Sequence, residues 1–305
     1  MSASSAGISP PLVATRGSLE PPPRAHDKVR DVAPKLRACA RRVISRFFKA
    51  SSLRRRLGEG RFTGKYASWT GARHASTGYD NPVILERVSR ALLEVTSGRA
   101  AYERDSVTFE RPDFAFPLLA ALFRVAALHE GRLNVLDFGG SLGSTYHQSR
   151  SLLAGLSSLR WSIVEQPAFV ELGRARFQNE HLRFFRTVGE CLEHEQPHVA
   201  ILSGVLQYLE DPYDLLVRIA ATSISHLVVD RTPFLDTADD VVTVQNVHPE
   251  IYPASYPARL FGTTCLRVAL EKDWRIVAEF DALDGRTDSW AGTIVSRGMI
   301  LDRRR

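Results

Sequence analysis

The residues with the clearest chemical potential are Val135-Leu136-Asp137-Phe138-Gly139-Gly140-Ser141-Leu142-Gly143, an apolar run that ends in an acid and opens into a turn holding three glycines. Glycines in such a turn let backbone amides approach a ligand and let the next helix start tightly against the strand. Twenty-two residues past Gly143 stands Glu165, at the end of the next apolar run, Trp161-Ser162-Ile163-Val164. A carboxylate there can accept hydrogen bonds from both hydroxyls of a ribose, which nicotinamide and adenosyl cofactors both carry. The spacing D-x-G-x-x-x-G differs from the dinucleotide pattern G-x-G-x-x-G. An acid ahead of the glycines repels a pyrophosphate, yet can hold the ammonium of an amino-acid moiety. A third run, Leu202-Ser203-Gly204-Val205-Leu206-Gln207-Tyr208-Leu209-Glu210-Asp211-Pro212, sets a strand end, an apolar turn, an aromatic and a helix-starting Asp-Pro beside the same crevice.

These residues need a scaffold that brings strand ends together. From Arg132 onward strand and helix patterns alternate: strands over Leu133–Phe138, Trp161–Glu165, Leu182–Phe185, His198–Ser203 and His226–Asp230, with helices after the glycine turn, from Pro167 to Phe177 and from Pro212 to Thr222. A long irregular stretch follows, then a helix over about Arg259–Leu270 and strands over Arg275–Phe280 and Thr293–Arg297. The pattern predicts an α/β fold with a mostly parallel sheet covered by helices on both faces. Ligands on such sheets sit beyond the carboxyl ends of the strands, where the residues above fall. Ahead of the sheet, Ile84, Val88, Leu92 and Val95 mark a helix over Val83–Thr96, and Pro117 opens another over Leu118–His129. Residues 59–130 are therefore expected to form a helical N-terminal cap, and residues 131–305 the ligand-binding domain.

Asp137-x-Gly139-x-x-x-Gly143, Glu165 and Leu206-Gln207-Tyr208-Leu209-x-Asp211-Pro212 resemble the first, second and fourth motifs of class I S-adenosylmethionine-dependent methyltransferases. More narrowly, Gly78-Tyr79-Asp80, Arg104-Asp105-Ser106, Asp137-Phe138-Gly139-Gly140-Ser141-Leu142-Gly143, Glu165-Gln166-Pro167, Asp230-Arg231-Thr232-Pro233 and Ile251-Tyr252-Pro253-Ala254-Ser255-Tyr256-Pro257 resemble a family of bacterial methyltransferases often encoded among surface-polysaccharide genes. The resemblance covers roughly residues 60–300. It implies a Rossmann-like fold with a seven-stranded sheet, S-adenosyl-L-methionine as cofactor, and a glycan or other small-molecule acceptor. Carried onto this chain, it marks Asp137, Gly139, Gly140, Ser141, Gly143, Glu165, Gln166, Ser203 and Tyr208 as cofactor-binding, with Tyr208 as a crevice wall. Two positions depart from the pattern. Arg186-Thr187 follows the third strand where an acid often faces the adenine amine, and His198 stands where many relatives begin the fourth strand with Asp.

Methyl transfer from a sulfonium needs alignment first, and a base only where the acceptor must lose a proton. His248, beside Pro249-Glu250, could deprotonate a hydroxyl or could be a surface-loop histidine. Asp230-Arg231 could orient an acceptor or form an ion pair closing the sheet. Tyr252 and Tyr256 could stack on a sugar or pack the loop, and packing is the simpler expectation. No Asp/Asn-Pro-Pro-Tyr run is present at the fourth strand, which tilts the acceptor atom towards oxygen. Two rival classes stay open: a nucleotide-sugar or nicotinamide oxidoreductase, and a non-catalytic scaffold whose basic arm is its active part.

The chain has 305 residues with 44% apolar and 24% charged, ordinary for a globular protein with a sizeable core. Its net charge of +6 is uneven. Residues 1–60 carry 13 Lys and Arg against four acids, so the remainder is slightly acidic and a nucleic-acid-binding body is disfavoured. Residues 1–32, rich in Ser, Ala and Pro, read as a disordered leader, with a composition that an organelle transit peptide shares. Residues 33–58 read as a basic amphipathic helix, with Leu36, Ala40, Val43 and Phe47 on one stripe. It is expected to pack on the body, with peripheral contact to an anionic membrane surface as the alternative. The three cysteines, Cys39, Cys191 and Cys265, are scattered, which suits neither a disulfide framework nor a zinc site, and no metal is expected. A reducing, cytoplasmic setting is the resulting expectation. No phosphate-loop, zinc-protease or serine-hydrolase signature occurs.

Overall fold

The computed structural model describes residues 61–78, 82–248, 251 and 253–304. The expected leader (1–32) and basic helix (33–58) lie outside the described residues, as do Tyr79, Asp80, Asn81, Pro249, Glu250 and Tyr252. The described part belongs to one unit, Arg54–Arg305.

The chain enters as strand β1 (Phe62–Tyr66) and a short helix α1 (Trp69–His74), started by Ser68, whose hydroxyl accepts the Gly71 amide at 3.1 Å. Helix α2 (Pro82–Thr96) buries Ile84, Val88 and Leu92 at the expected spacing. Strands β2 (Tyr102–Arg104) and β3 (Val107–Phe109) form a hairpin, and α3 (Phe116–Leu128) follows with Pro117 in its first turn. The segment expected to be a helical cap thus also contains strand β1 and the hairpin.

Next come β4 (Arg132–Phe138), α4 (Ser144–Leu153), β5 (Ser158–Val164), α5 (Pro167–Arg176), β6 (Leu182–Phe185), α6 (Val188–His194) and β7 (Val199–Ser203). Helix α6 was not legible as a period, but Thr187 caps it by accepting the Glu190 amide at 3.0 Å. A one-turn 3-10 segment, Leu206–Tyr208, leads to α7 (Pro212–Ala220), which Asp211 starts as expected. The rest is β8 (His226–Leu235), β9 (Val241–Asn246), β10 (Ser255–Gly262), α8 (Thr263–Glu271), β11 (Trp274–Ser289) and β12 (Gly292–Arg303).

The expected α/β architecture is present. Strands run in the order β6-β5-β4-β7-β8, all parallel, then β12 and β11, each antiparallel to its neighbour. Alternation along the strands explains the two-sided cover. Val135, Trp161, Ile163, Val199 and Ile201 face α2, α3, α4 and α5, whereas Leu136, Ala200, Leu202, Leu227 and Val229 face α7 and α8.

Among the described residues the sheet has ten strands instead of the expected seven. β8 outruns β7, and past Asp230 its Phe234 and Leu235 pair in parallel with β10, which carries β9 and β1 in antiparallel register. This extension replaces the irregular stretch and the start of the helix expected at Arg259, which begins only at Thr263. Pro233 stands within β8 and Pro257 within β10, and a proline lowers any strand reading of its surroundings. The extension rises beyond the carboxyl ends of β4, β5 and β7 and walls one side of the crevice.

Candidate functional site

One cavity of about 750 Å³ lies at those carboxyl ends, in the upper part of the ~300–1,000 Å³ range for ligand sites. Its base is the glycine turn. Gly139, at φ +72°, donates its amide to Val164 O at 2.9 Å and ties the ends of β4 and β5 together. Gly140 presses against Asp137 so closely that an added β-carbon would sit 2.6 Å from the carboxylate. Ser141 adopts φ +56° and points its amide at Glu165 Oε1, 3.2 Å away. Gly143, at φ +98°, caps α4 and packs near Leu182; unlike the other turn glycines it does not line the cavity.

Glu165 follows directly on β5. Its Oε1 accepts from Ser141 and its Oε2 from the Gln166 amide at 2.7 Å, so the carboxylate is fixed while each oxygen keeps acceptor capacity. Burial pushes its pKa up, against the two amide bonds. Asp137 is 1% exposed and accepts the Trp161 indole N–H at 3.0 Å. Burial raises its pKa to about 7, against that bond and with help from Glu165.

Asp137 therefore favours its protonated form in the fold. A carboxyl raised in this way contributes stability below its unfolded pKa near 3.8 and loses it as pH rises through about 7. Asp137→Asn keeps an oxygen for Trp161 and cannot ionise. Its melting temperature should exceed that of the parent at pH 8, by the equivalent of roughly 2–4 kcal/mol, and match it at pH 4. Thermal melts at the two pH values check this; a variant less stable at pH 8 would show that the charged form is held favourably.

The other predicted residues converge on the same cavity. Ser203 ends β7 and donates its hydroxyl to Asp230 Oδ2 at 3.0 Å; Asp230 is 3% exposed and its pKa is raised by burial. Arg231 does not pair with Asp230 as an ion pair closing the sheet. Its Nε binds Asp284 Oδ2 at 2.7 Å and its Nη2 binds Asp105 Oδ2 at 2.5 Å. Tyr208 lines the wall, donates its hydroxyl to Gln245 Oε1 at 3.1 Å and meets the Tyr256 ring edge-on at 5.1 Å. Gln166 and His248 also line the cavity, His248 just past the end of β9. Arg186 lines it as well, bound to Glu171 at 3.1 Å. His198 does not: it precedes β7 at the opposite end of the sheet, stacked on His129 at 3.8 Å.

Two carboxylates at the site escaped the sequence. Glu103, in β2, is 4% exposed, accepts from the Ser144 hydroxyl and the Ser106 amide, and has its pKa pushed to about 7 by burial. Asp284 is the buried partner of Arg231. The hairpin turn between Arg104 and Val107 is Asp105-Ser106, at φ +52° and +69°. A two-residue turn with both residues left-handed is usually marked by Asn-Gly or Asp-Gly, so Asp-Ser concealed it. Among the described residues no group of His, Cys, Asp and Glu could hold a metal ion.

No family model matches the sequence, and no curated protein matches it. The chain is similar to the N-terminal domain of EvdMO1, crystallised in the presence of SAH and D-fucose, with 16% identity and a TM-score of 0.42 over 74% of this chain and 97% of that one. It is similar to magnesium protoporphyrin IX methyltransferase (ChlM) from Synechocystis PCC 6803 with bound SAM, with 12% identity and a TM-score of 0.39 over 62% and 78%. It is also similar to the mitomycin 7-O-methyltransferase MmcR, with 18% identity and a TM-score of 0.38 over 71% and 68%. Likeness this distant assigns no activity; the strand order and the chemistry of the cavity have to do so.

Proposed function

We propose that this chain is an S-adenosyl-L-methionine-dependent methyltransferase that methylates a hydroxyl of a glycan or glycolipid precursor. The observation that carries the donor half is the anchored carboxylate of Glu165, joined to the glycine turn through Ser141 and set inside the cavity beside Asp137. The residues present suit that donor. Glu165 retains acceptor capacity for a ribose diol, Asp137 offers a carboxyl to an ammonium, and Val164 and Val205 supply apolar walls. The five parallel strands share the order 3-2-1-4-5 of dinucleotide folds. After them the antiparallel pair β12–β11 takes the place of a sixth parallel strand, and no G-x-G-x-x-G is present, which favours the adenosyl reading over the nicotinamide one.

When bound, the donor supplies a methyl group on a positively charged sulfur. The chain's own part is to align and desolvate. Glu165 and the turn hold the nucleoside, Ser203 and Asp230 occupy the strand ends beside it, and Tyr208 walls the crevice. His248, which lines the same cavity, is the candidate to take the acceptor's proton on its imidazole. Arg231, with both carboxylates engaged, acts as a positioning residue that joins the hairpin, β8 and β11. The glycan acceptor rests on the sequence resemblance, and the expected cytoplasmic setting on the scattered cysteines. Among the described residues no helix is long and apolar enough to cross a membrane.

Calorimetric titration of the protein with S-adenosylhomocysteine, with NAD and a nucleotide sugar as controls, tests the donor. Micromolar binding of S-adenosylhomocysteine alone, about −8 kcal/mol, is the expected result. NAD binding in its place would move the chain to the oxidoreductases, and silence from all three would leave a scaffold.

A further inference from the structure

The lining of the cavity is segregated by charge. On the strand-end side stand the carboxylates of Asp137, Glu165 and Asp230, with Glu103 against the start of α4. A donor carrying a sulfonium and an ammonium would favour the ionised forms of these carboxyls, whose pKa values burial raises. Arg231 is paired with both Asp105 and Asp284, and Arg186 is tied to Glu171.

The opposite side is basic. Arg61, Arg73 and Arg104 all line the cavity, from the start of β1, from α1 and from the hairpin. Among the described residues Arg61 and Arg73 form no ion pair. Arg104 has only Asp113, at 3.8 Å, and its Nη1 is buried with no hydrogen-bond partner. The Arg61 guanidinium rests 5.4 Å over the Phe62 ring and faces inward. Burial works to raise Asp284, yet Arg231, with Arg61 and Arg104 behind it, holds its pKa to about 2. Trp69 lies on the same side, with Gln245 and Tyr256. Arg61 and Arg73, which make no ion pair among the described residues, stand beside a concave, partly apolar wall, an arrangement that suits an anion attached to a ring.

Resting on the methyltransferase reading, we propose that Arg61 and Arg73, with Arg104 beside them, bind an anionic group of the acceptor, a phosphate or a carboxylate on a sugar-sized molecule, while Trp69 flanks its ring. The acceptor is thus charged and not a neutral sugar.

The test is calorimetry on the full chain saturated with S-adenosylhomocysteine, titrated separately with glucose 1-phosphate, glucuronate, inorganic phosphate and methyl glucoside. At least one charged sugar should bind about tenfold more tightly than methyl glucoside, a difference that charge-assisted hydrogen bonds supply. The choice between glucose 1-phosphate and glucuronate tells phosphate from carboxylate. Inorganic phosphate that binds as well as the sugar phosphate would keep the anion site and remove the role of Trp69. The preference should disappear in R61Q/R73Q, whose S-adenosylhomocysteine titration reports that the variant is folded. Anions that bind no better than methyl glucoside, with S-adenosylhomocysteine bound normally, would overturn the inference and leave the donor reading standing. Failure of S-adenosylhomocysteine itself would remove both.

Discussion

Replacing Glu165 by alanine should weaken S-adenosylhomocysteine binding by at least a hundredfold while leaving the fold intact. The carboxylate is the one group at the end of β5 that can accept from two neighbouring hydroxyls. Hydrogen bonds to a charged group contribute ~1.5–3 kcal/mol each, so losing a pair costs about 3 kcal/mol or more. The substitution also frees the Ser141 amide, which holds φ +56° while donating to Glu165, so the turn loses one of its two ties to the end of β5 and keeps the bond from Gly139 to Val164. Stability should move in the other direction or hardly at all, because burial already raises the Glu165 pKa against its two amide bonds. Glu165→Gln separates the two contributions. It keeps one carbonyl acceptor and should recover part of the affinity, whereas a uniform loss in both variants would point to turn geometry. An alanine variant that binds S-adenosylhomocysteine with unchanged affinity would show that the ribose is held elsewhere.

The donor half of the site was legible because its parts are short-range. Asp137 to Gly143 is one strand end and one turn, and Glu165 ends the next strand, so spacing alone places them together once the sheet is parallel. The first five strands were legible for the same reason: each is an apolar run separated from the next by a helical period or a turn. The acceptor side was not, since it is assembled from segments far apart in the chain. Arg231 meets Asp105 across 126 residues and Asp284 across 53, and no local pattern announces such a meeting. Asp230-Arg231 looked like a single unit in sequence. In the fold, strand alternation sends Asp230 to Ser203, while Arg231 turns away through a left-handed backbone. The extension β1-β9-β10 was hidden by Pro233 and Pro257 and by its non-local pairing, β1 lying some 180 residues before its partner β9. With it went the arginines of the basic wall, since Arg61 and Arg73 reach the cavity only because β1 and α1 belong to that extension.

Arg231→Ala should be among the most destabilising single substitutions at the site, costing about 3–5 kcal/mol in urea or thermal unfolding at pH 7. The reason is what remains. Asp284, 19% exposed at its side chain, is left as a largely shielded carboxylate without its guanidinium, while Asp105, at 61%, is free to take up water and contributes little. The pH dependence carries the sign. With Arg231 present the Asp284 pKa is depressed from 3.8 to about 2, so its contribution is present above pH 4 and fades as pH falls through 2. Without Arg231 the upward push of burial is opposed only by Arg61 and Arg104, so the gap between parent and variant should narrow as pH falls from 4 towards 2. Arg231→Ala/Asp284→Asn should regain much of the loss by removing the stranded charge; if it regains none, the cost lies in packing. A further comparison isolates the backbone. Arg231 holds φ +52°, a conformation that costs an L-residue ~1–2 kcal/mol and glycine almost nothing. Arg231→Gly should therefore be less destabilised than Arg231→Ala although it removes more atoms. That inverted order would show that the double ion pair holds Arg231 in a strained conformation, which aims its guanidinium at the hairpin and β11 together.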